Sequence, residues 1–276
     1  MTAIAAPLIA PLPGPDRHLD LGTHSLAYAD IGAGPPVIFL HGGLMDHSSW
    51  GNQLPLAEEL RLILPSTRGH GASTGGDLPA TYAAFAEDIP ALMDGLGLAS
   101  AHIVGFSDGG CTALELALRA PGRVRSLSLL GTPYHTDNYA DGVLSGMAAM
   151  QPEHLEQARP VVRELTDKLR ARMSVDDWEA YFPRIIHGLW LREPTLELSD
   201  LAALTMPTLV VHGENEHSIR LGASEALAAA LPKGRLTIIP GATHASAQDE
   251  PEAVNAALRE HIHLADGQGR ELLSGR

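Results

Sequence analysis

One serine lies in a short glycine-rich string whose residue types suit a nucleophile. Residues 105–110 read Gly-Phe-Ser-Asp-Gly-Gly, directly after a run typical of a buried strand and directly before a stretch typical of a helix. A sharp strand-to-helix turn exposes the serine hydroxyl but strains its backbone, so small residues such as Gly105 and Gly109 are needed two positions away on each side. The turn also directs the next N–H, on Asp108, towards the point where an oxyanion would form. The pattern predicts that Ser107 is a nucleophile; the alternative is a glycine-rich turn with a passive serine.

A nucleophilic serine needs a base, and one histidine stands where such a base is expected. His244 follows the last predicted strand, residues 236–239, on a loop that can reach across the edge of a sheet. The carboxylate that orients the histidine should follow the preceding strand, where Glu214 and Glu216 both occur. Asp137 is a third candidate, ranked below these two. The residues alone leave the choice of acid open.

Short apolar runs and Ala- and Leu-rich stretches alternate along most of the chain. The runs are bounded by Gly or Pro, as is typical of strands buried on both faces of a parallel sheet. They cover residues 37–40, 62–64, 103–104, 124–130, 209–211 and 236–239, with predicted helices at 82–96, 112–120 and 224–230. Residues 19–30 mix polar and apolar side chains, which indicates an antiparallel hairpin. This order predicts an α/β fold with a doubly wound, mostly parallel sheet.

The alternation stops between residues 132 and 206. This stretch predicts helices, at 152–172 and 175–182, and no strand. Helices inserted between two late strands are most simply a cap over the carboxyl ends of the strands, where ligands bind in such sheets. The prediction is a core of residues 1–132 and 207–276 and a helical cap of residues 133–206. The side chains that either fill the cap's own core or line a substrate pocket are His135, Trp178, Tyr181, His187 and Trp190.

Composition and charge exclude several classes of function. Of the 276 residues, 45% are hydrophobic and 19% are charged, and the net charge is −14 with histidine neutral. So acidic a chain offers no obvious basic surface to nucleic acid or anionic lipid, and neither is an expected partner. We therefore expect a protein that acts on a small molecule, away from membranes, as a monomer or homodimer.

The cysteine content and the first residues of the chain bear on its compartment. Cys111 is the single cysteine, so no intramolecular disulfide can form, which favours the cytoplasm. The start of the chain is apolar, but it has no Lys or Arg before its apolar part and carries four prolines between residues 7 and 15. Such a segment does not suit a signal peptide, and we expect an extended, poorly ordered arm.

Fourteen histidines raise the question of a metal site. The one close pair, His261 and His263, falls in a predicted C-terminal helix without an adjacent group of carboxylates. Neither His-x-His-x-Asp-His nor His-Glu-x-x-His occurs in the chain. The sequence therefore predicts neither a metal site nor a cofactor.

Four motifs, taken in order, resemble those of the α/β-hydrolase superfamily. The first is His-Gly-Gly at residues 41–43 with Trp50 nine positions after the histidine, and the second is Arg-Gly-His-Gly at residues 68–71. The serine turn and the loop of His244 complete the set. The resemblance extends from about residue 21 to residue 263 and is weakest in the cap. It implies an α/β-hydrolase fold with a helical cap inserted between two late strands.

The resemblance also implies roles for particular residues. Ser107 becomes the nucleophile, and His244 the general base and then the general acid. The oxyanion would be held by the backbone N–H groups of Gly43 and Asp108. The family pattern Gly-Glu-x-Asp corresponds to Gly-Glu-Asn-Glu at residues 213–216, so the orienting acid becomes Glu216, one methylene longer than the usual aspartate.

A serine at this turn favours acyl transfer to water through an acyl-enzyme. The predicted activity is hydrolysis of a carboxylic ester or lactone, with a substrate of small to medium size that is mostly apolar. The alternatives are the same residues used for carbon–carbon bond hydrolysis, perhydrolysis or cofactor-free lyase or oxygenase chemistry, and a ligand-binding pseudoenzyme. The side chain of Asp108 has two interpretations: it stabilises the first turn of its helix, or it attracts a substrate amine, as the resemblance of Ser-Asp-Gly-Gly to amino-acid-ester hydrolases implies.

Overall fold

The computed structural model describes residues 9–14 and 16–267, and eight strands within them form one sheet. The strands are β1 (Arg17–Asp20), β2 (Ser25–Ile31), β3 (Pro36–Leu40), β4 (Arg61–Pro65), β5 (Ala101–Phe106), β6 (Val124–Leu130), β7 (Thr208–Gly213) and β8 (Gly234–Ile239). Their order across the sheet is β1-β2-β4-β3-β5-β6-β7-β8. The β1–β2 and β2–β4 pairs are antiparallel, and all pairs from β4 to β8 are parallel. The predicted mostly parallel sheet and N-terminal hairpin are confirmed.

Helices cover both faces of this sheet. They are α1 (Tyr82–Gly95), α2 (Asp108–Arg119), α3 (Val143–Ala149), α4 (Pro160–Arg170), α5 (Val175–Tyr181), α6 (Leu198–Leu201), α7 (Leu221–Ala230), α8 (Ser246–Asp249) and α9 (Pro251–Ala265). Successive side chains of a strand point to opposite faces. Thus Ile38 of β3 packs in the apolar layer shared with α1 and α2, whereas Phe39 packs in the layer shared with α9. Burial on both faces explains why the strands read as continuous apolar runs.

Residues 133–206, all of which the structure describes, lie between β6 and β7 and add no strand to the sheet. The predicted helix over residues 152–172 is broken: a 3₁₀ helix covers Pro152–Gln157, and α4 begins at Pro160. A proline disfavours the helical conformation at the residue before it, and Arg159 accordingly has φ −50° and ψ 145°. The predicted helix at residues 175–182 is α5, which continues as a π-helix over Phe182–Trp190.

The aromatic side chains of the inserted segment do not form a core of their own. Trp178 and Tyr181 stack with ring centroids 5.9 Å apart, and Phe182 packs edge-on against Trp178. The same apolar cluster contains Leu44 and Phe85, which belong to the sheet domain. The inserted helices therefore share one apolar cluster with the loops at the edge of the sheet.

The N-terminal arm differs from its prediction where the structure describes it. Residues 1–8 and 15 of the predicted arm lie outside the described residues. Ile9 is fully buried, and its neighbour Ala10 donates its N–H to Asn52 Oδ1 at 3.0 Å. An apolar side chain removed from water and a paired backbone N–H hold this part of the arm against the domain. Among the helices that the structure describes, none is both long enough and apolar enough to span a bilayer.

Candidate active site

The loops that follow β5, β7 and β8 meet at one edge of the sheet, because parallel strands present their carboxyl ends on the same side. Ser107 begins the loop after β5, Glu216 follows β7, and His244 follows β8. His244 Nε2 lies 3.3 Å from Ser107 Oγ, and His244 Nδ1 lies 2.7 Å from Glu216 Oε2. The structure thus brings together a hydroxyl, an imidazole and a carboxylate that are up to 137 positions apart in the chain.

Ser107 occupies a strained turn between β5 and α2. Its φ of 50° and ψ of −114° lie in a region that side-chain-bearing residues seldom adopt. The turn is as tight as the glycine pattern requires. A Cβ on Gly105 would come within 2.4 Å of the carbonyl oxygen of Gly109, and a Cβ on Gly109 within 2.0 Å of the carbonyl oxygen of Leu40. The glycines therefore permit a close approach that holds the serine at the edge of the sheet.

The carboxylate of Glu216 is fully buried and fully paired. Oε2 contacts His244, and Oε1 accepts hydrogen bonds from the N–H groups of Ser218, at 2.7 Å, and Ile219, at 3.3 Å. Burial by itself raises the pKa of Glu216, but the adjacent His244 and the two backbone donors outweigh it and bring the pKa to about 2. Glu216 is therefore ionised throughout the range in which an imidazole titrates.

The two rival acids lie elsewhere. Glu214 Oε2 accepts a hydrogen bond from the N–H of Gly241 at 2.8 Å, so it holds the loop of His244 by its backbone and does not contact the imidazole. Asp137 has a side chain that is 86% exposed and lies beside His135. Of the three carboxylates, Glu216 is the one within hydrogen-bond distance of His244.

An apolar cavity of about 280 Å³ opens beside Ser107. It is lined by the serine turn, by the loop after β3, by the loop of His244 and by apolar residues of the inserted helices, among them Met147, Met150, Val162 and Leu165. Of the cap side chains predicted to line a substrate pocket, Trp190 lines this cavity.

The other predicted pocket residues lie outside it. Trp178 and Tyr181 are buried in the aromatic cluster described above, and Tyr181 Oη accepts the N–H of Leu44 at 3.1 Å. His135 caps a short 3₁₀ helix, and His187 Nε2 lies 3.2 Å from the carbonyl oxygen of Met150. These residues were predicted to line the pocket only because they lie in the inserted segment. The sequence does not show which side of that segment faces Ser107.

Gly43 and Asp108, the two predicted oxyanion donors, both border the cavity at Ser107. The indole of Trp190 lies against Gly43: a Cβ on this glycine would come within 2.1 Å of a ring carbon. The next residue, Leu44, has a positive φ of 59°, and its N–H is bonded to Tyr181. Side chains of the inserted segment thus contact the loop after β3 at the predicted donor and at the residue that follows it.

The carboxylate of Asp108 joins the serine turn to the inserted helices. Oδ2 accepts the indole N–H of Trp190 at 2.7 Å, and Oδ1 accepts the hydroxyl of Tyr82 at 3.0 Å. Burial raises the pKa of Asp108 to about 6, although these two hydrogen bonds act in the opposite direction. Neither interpretation from the sequence included these partners, because nothing in the local pattern shows that Tyr82 and Trp190 converge on this carboxylate.

The histidines of the two loop motifs are buried and have structural partners. His41 lies between the carbonyl oxygen of Gly42 and the N–H of Thr67, and burial lowers its pKa to about 4. His70 lies 3.1 Å from the carbonyl oxygen of Arg68, and burial lowers its pKa well below the ordinary value. Among residues 9–14 and 16–267, no group of three or more His, Cys, Asp or Glu side chains is arranged to hold a metal ion.

Comparisons with known proteins agree with this fold. A family model described as alpha/beta hydrolase fold matches residues 35–171. The Mycobacterium tuberculosis protein named "Putative non-heme bromoperoxidase BpoC" is 31% identical over 252 residues, which cover 85% of this chain and 96% of that protein. A thermophilic esterase from Thermogutta terrifontis superposes with a TM-score of 0.72 at 26% identity, over 91% of this chain and 99% of the other. Carboxylesterase CesB from Bacillus subtilis shares the fold, with a TM-score of 0.78 at 21% identity over 91% and 92% of the two chains.

Proposed function

This chain belongs to the alpha/beta-hydrolase family and is a hydrolytic enzyme, and on that premise we propose that it is a serine hydrolase that cleaves a carboxylic ester or lactone through an acyl-enzyme. The observation that carries the proposal is the line of hydrogen bonds from Glu216 through His244 to Ser107, which ends at the apolar cavity. We also propose that residues 133–206 are the cap and that residues 1–132 and 207–276 are the core.

In the first half of the reaction, Ser107 Oγ attacks the carbonyl carbon of the substrate while its proton passes to His244 Nε2. The carbonyl π electrons move to the oxygen, and the resulting oxyanion accepts hydrogen bonds from the N–H groups of Gly43 and Asp108. The tetrahedral intermediate collapses, the bond to the leaving oxygen breaks, and the imidazolium returns the proton to that oxygen. The alcohol leaves; in a lactone it remains attached to the acyl group.

In the second half, a water molecule replaces the alcohol. His244 takes a proton from the water, and the resulting hydroxide oxygen attacks the acyl carbon. The intermediate again places its oxyanion on the two backbone donors, then releases the carboxylic acid as Ser107 recovers its proton. Glu216, ionised at neutral pH, accepts the Nδ1–H of the imidazole in both halves and stabilises the imidazolium.

The size and lining of the cavity support a small to medium apolar substrate. The cavity volume of about 280 Å³ lies at the small end of the range for small-molecule pockets, and most of the lining side chains near Ser107 are apolar. The similarity to an esterase at 26% identity is consistent with ester hydrolysis.

Perhydrolysis is a second candidate because a relative at 31% identity carries the name of a bromoperoxidase. The acyl-enzyme would be the same, with hydrogen peroxide in place of water, and the product would be a peracid that retains the O–O bond. Adding hydrogen peroxide and bromide to the esterase assay and following bromination of a dye separates the two outcomes.

The test of the proposed function is the hydrolysis of p-nitrophenyl acetate, butyrate and octanoate and of a simple γ-lactone. We expect turnover of at least one of them, and we expect Ser107→Ala and His244→Ala each to reduce kcat/KM by about 10³-fold or more. Ser145, an exposed serine, supplies the matched control, Ser145→Ala. Activity near the wild-type level in Ser107→Ala would exclude the proposed nucleophile.

A further inference from the structure

Arg159 connects the inserted helices to the loop that carries His244. It is the residue before α4, and it lines the cavity beside Ser107. Its Nη1 donates to Thr243 Oγ1 at 2.6 Å, and its Nη2 donates to Asp249 Oδ1 at 2.8 Å. A single guanidinium therefore spans two residues of the turn around His244.

Asp249 is hydrogen-bonded to Thr243 within that turn. Its Oδ2 accepts hydrogen bonds from both the N–H of Thr243, at 2.9 Å, and the hydroxyl of Thr243. Thr243 immediately precedes His244, so the carboxylate fixes the backbone at the residue next to the one that carries the imidazole. The side chain of Asp249 is 15% exposed, so little water competes for these bonds.

The two residues before Thr243 are held by different groups. Glu214 accepts the N–H of Gly241, and the N–H of Asn215 donates to the carbonyl oxygen of Ala242 at 2.8 Å. These contacts come from the loop after β7 and fix residues 241 and 242. Asp249, in α8, and Arg159, in the inserted segment, fix the next residue, Thr243.

We propose that Asp249 is a positioning residue for His244 and that Arg159 links this positioning to the wall of the substrate cavity. The inference rests on the proposed function, in which His244 must hold Nε2 within proton-transfer distance of Ser107. Burial by itself raises the pKa of Asp249, but the bonds from Thr243 and Arg159 outweigh it and lower the pKa. The acid therefore remains ionised and paired at neutral pH.

A looser His244 weakens catalysis more than binding, because proton transfer depends steeply on geometry. We expect Asp249→Ala to lower kcat by about 10- to 100-fold with KM changed much less. Thr243→Val, which keeps the N–H but loses the hydroxyl shared by Arg159 and Asp249, should lower kcat by a smaller factor. Thr243→Ser restores the hydroxyl and should return kcat to near the wild-type value.

The control for a general loss of stability is Asp30→Ala. Asp30 is a mostly buried acid paired with Arg61 at the far side of the sheet, and its pKa is likewise lowered, chiefly by the hydrogen bond to Arg61. Asp30→Ala should reduce the free energy of unfolding without lowering kcat. A similar loss of kcat in Asp30→Ala and Asp249→Ala, or a rise in KM with kcat unchanged in Asp249→Ala, would overturn the positioning role.

A crystal structure of Thr243→Val, together with one of Asp249→Ala, tests the inference without relying on turnover. We expect His244 to move or to take a second conformation, with Nε2 more than the wild-type 3.3 Å from Ser107 Oγ. An unmoved imidazole in both variants contradicts the inference, even if the wild-type protein hydrolyses esters. Conversely, a displaced imidazole in a protein without esterase activity would support the positioning and contradict the proposed function.

Discussion

The indole N–H of Trp190 donates to Asp108 Oδ2 across 2.7 Å, and this bond joins the inserted helices to the residue that directly follows Ser107. The same indole lies over Gly43, the other predicted oxyanion donor. One side chain of the inserted segment therefore contacts both residues whose N–H groups would bind the oxyanion. A shift of the π-helix that ends at Trp190 would therefore change the shape of the predicted oxyanion site.

Replacement of Trp190 by Phe tests that relationship. The variant keeps an aromatic ring but leaves Asp108 Oδ2 without its indole donor, and an unsatisfied buried acceptor costs about 1–3 kcal/mol. We expect the free energy of unfolding, measured by urea denaturation at pH 7.5, to fall by about that amount. Tyr82→Phe removes the other donor to the same carboxylate and should show a similar loss. Unchanged stability in both variants would contradict the assigned hydrogen bonds.

The smaller ring should also alter selectivity. Phenylalanine fills less of the space beside Gly43, so the cavity near Ser107 becomes larger. We expect the ratio of kcat/KM for p-nitrophenyl octanoate to that for the acetate to rise several-fold in Trp190→Phe. The same ratio in Trp178→Phe, which alters an aromatic outside the cavity, should stay at the wild-type value.

The pKa of Asp108 predicts a dependence of stability on pH. Burial raises this pKa from the ordinary value of 3.8 to about 6, so the folded state binds the proton more tightly than the unfolded state. The stabilisation is fully present below pH 3.8 and is lost as pH rises through 6. Each unit of pKa difference corresponds to about 1.4 kcal/mol. Relative to Asp108→Asn, the wild-type protein should therefore lose stability on the order of 2 kcal/mol between pH 4 and pH 7.

Chemical denaturation of both proteins at several values of pH in that range measures the difference. Other groups titrate in the same interval, but their contributions cancel when the two proteins are compared. A difference in stability that stays constant with pH would show that the Asp108 carboxyl has an ordinary pKa.

Glu216→Gln tests the choice of acid. A glutamine keeps the shape but cannot stabilise the imidazolium or hold the histidine in the required tautomer, and we expect kcat to fall by about 10²- to 10⁴-fold. Glu214→Gln is the matched control, since Glu214 contacts the backbone of Gly241 and not the imidazole. Steady-state kinetics of the two variants should therefore differ by at least an order of magnitude. Equal losses of kcat in both variants would contradict the assignment of Glu216 as the acid.

The parts of the fold that depend on local pattern could be predicted from the sequence. Strands buried on both faces must be apolar throughout, and the glycines around Ser107 reflect a steric requirement of its own turn. The preference for Glu216 over Glu214 came from a family pattern. Within the sequence, the two glutamates differ by two positions on a loop, and the distances to His244 depend on how that loop is closed by Ser218 and Ile219.

The inserted segment could not be predicted in the same detail. Its aromatics pack against Leu44 and Phe85, residues distant in the chain, so no local periodicity shows which side faces the cavity. The break in the helix at Arg159 has a local signal, which is the proline that follows it. The contacts that Arg159 then makes have no such signal. That Arg159 reaches Thr243 and Asp249 depends on how the helices lie across the sheet edge.

Localisation, partners and oligomeric state stay predictions. The single cysteine favours the cytoplasm, and the acidic balance disfavours nucleic acid and membrane partners. The expected assembly is a monomer or homodimer that acts on a small molecule. Size-exclusion chromatography with light scattering distinguishes the monomer from the homodimer.

Mass spectrometry of the protein after incubation with a fluorophosphonate tests directly whether Ser107 is the nucleophile. The reagent forms a stable phosphonyl ester with a serine activated by a neighbouring base and releases fluoride. We predict one added phosphonyl group per chain, located on Ser107 by peptide mapping, and no addition in Ser107→Ala. Labelling at another residue, or labelling that persists in Ser107→Ala, would contradict the claim that Ser107 is the nucleophile.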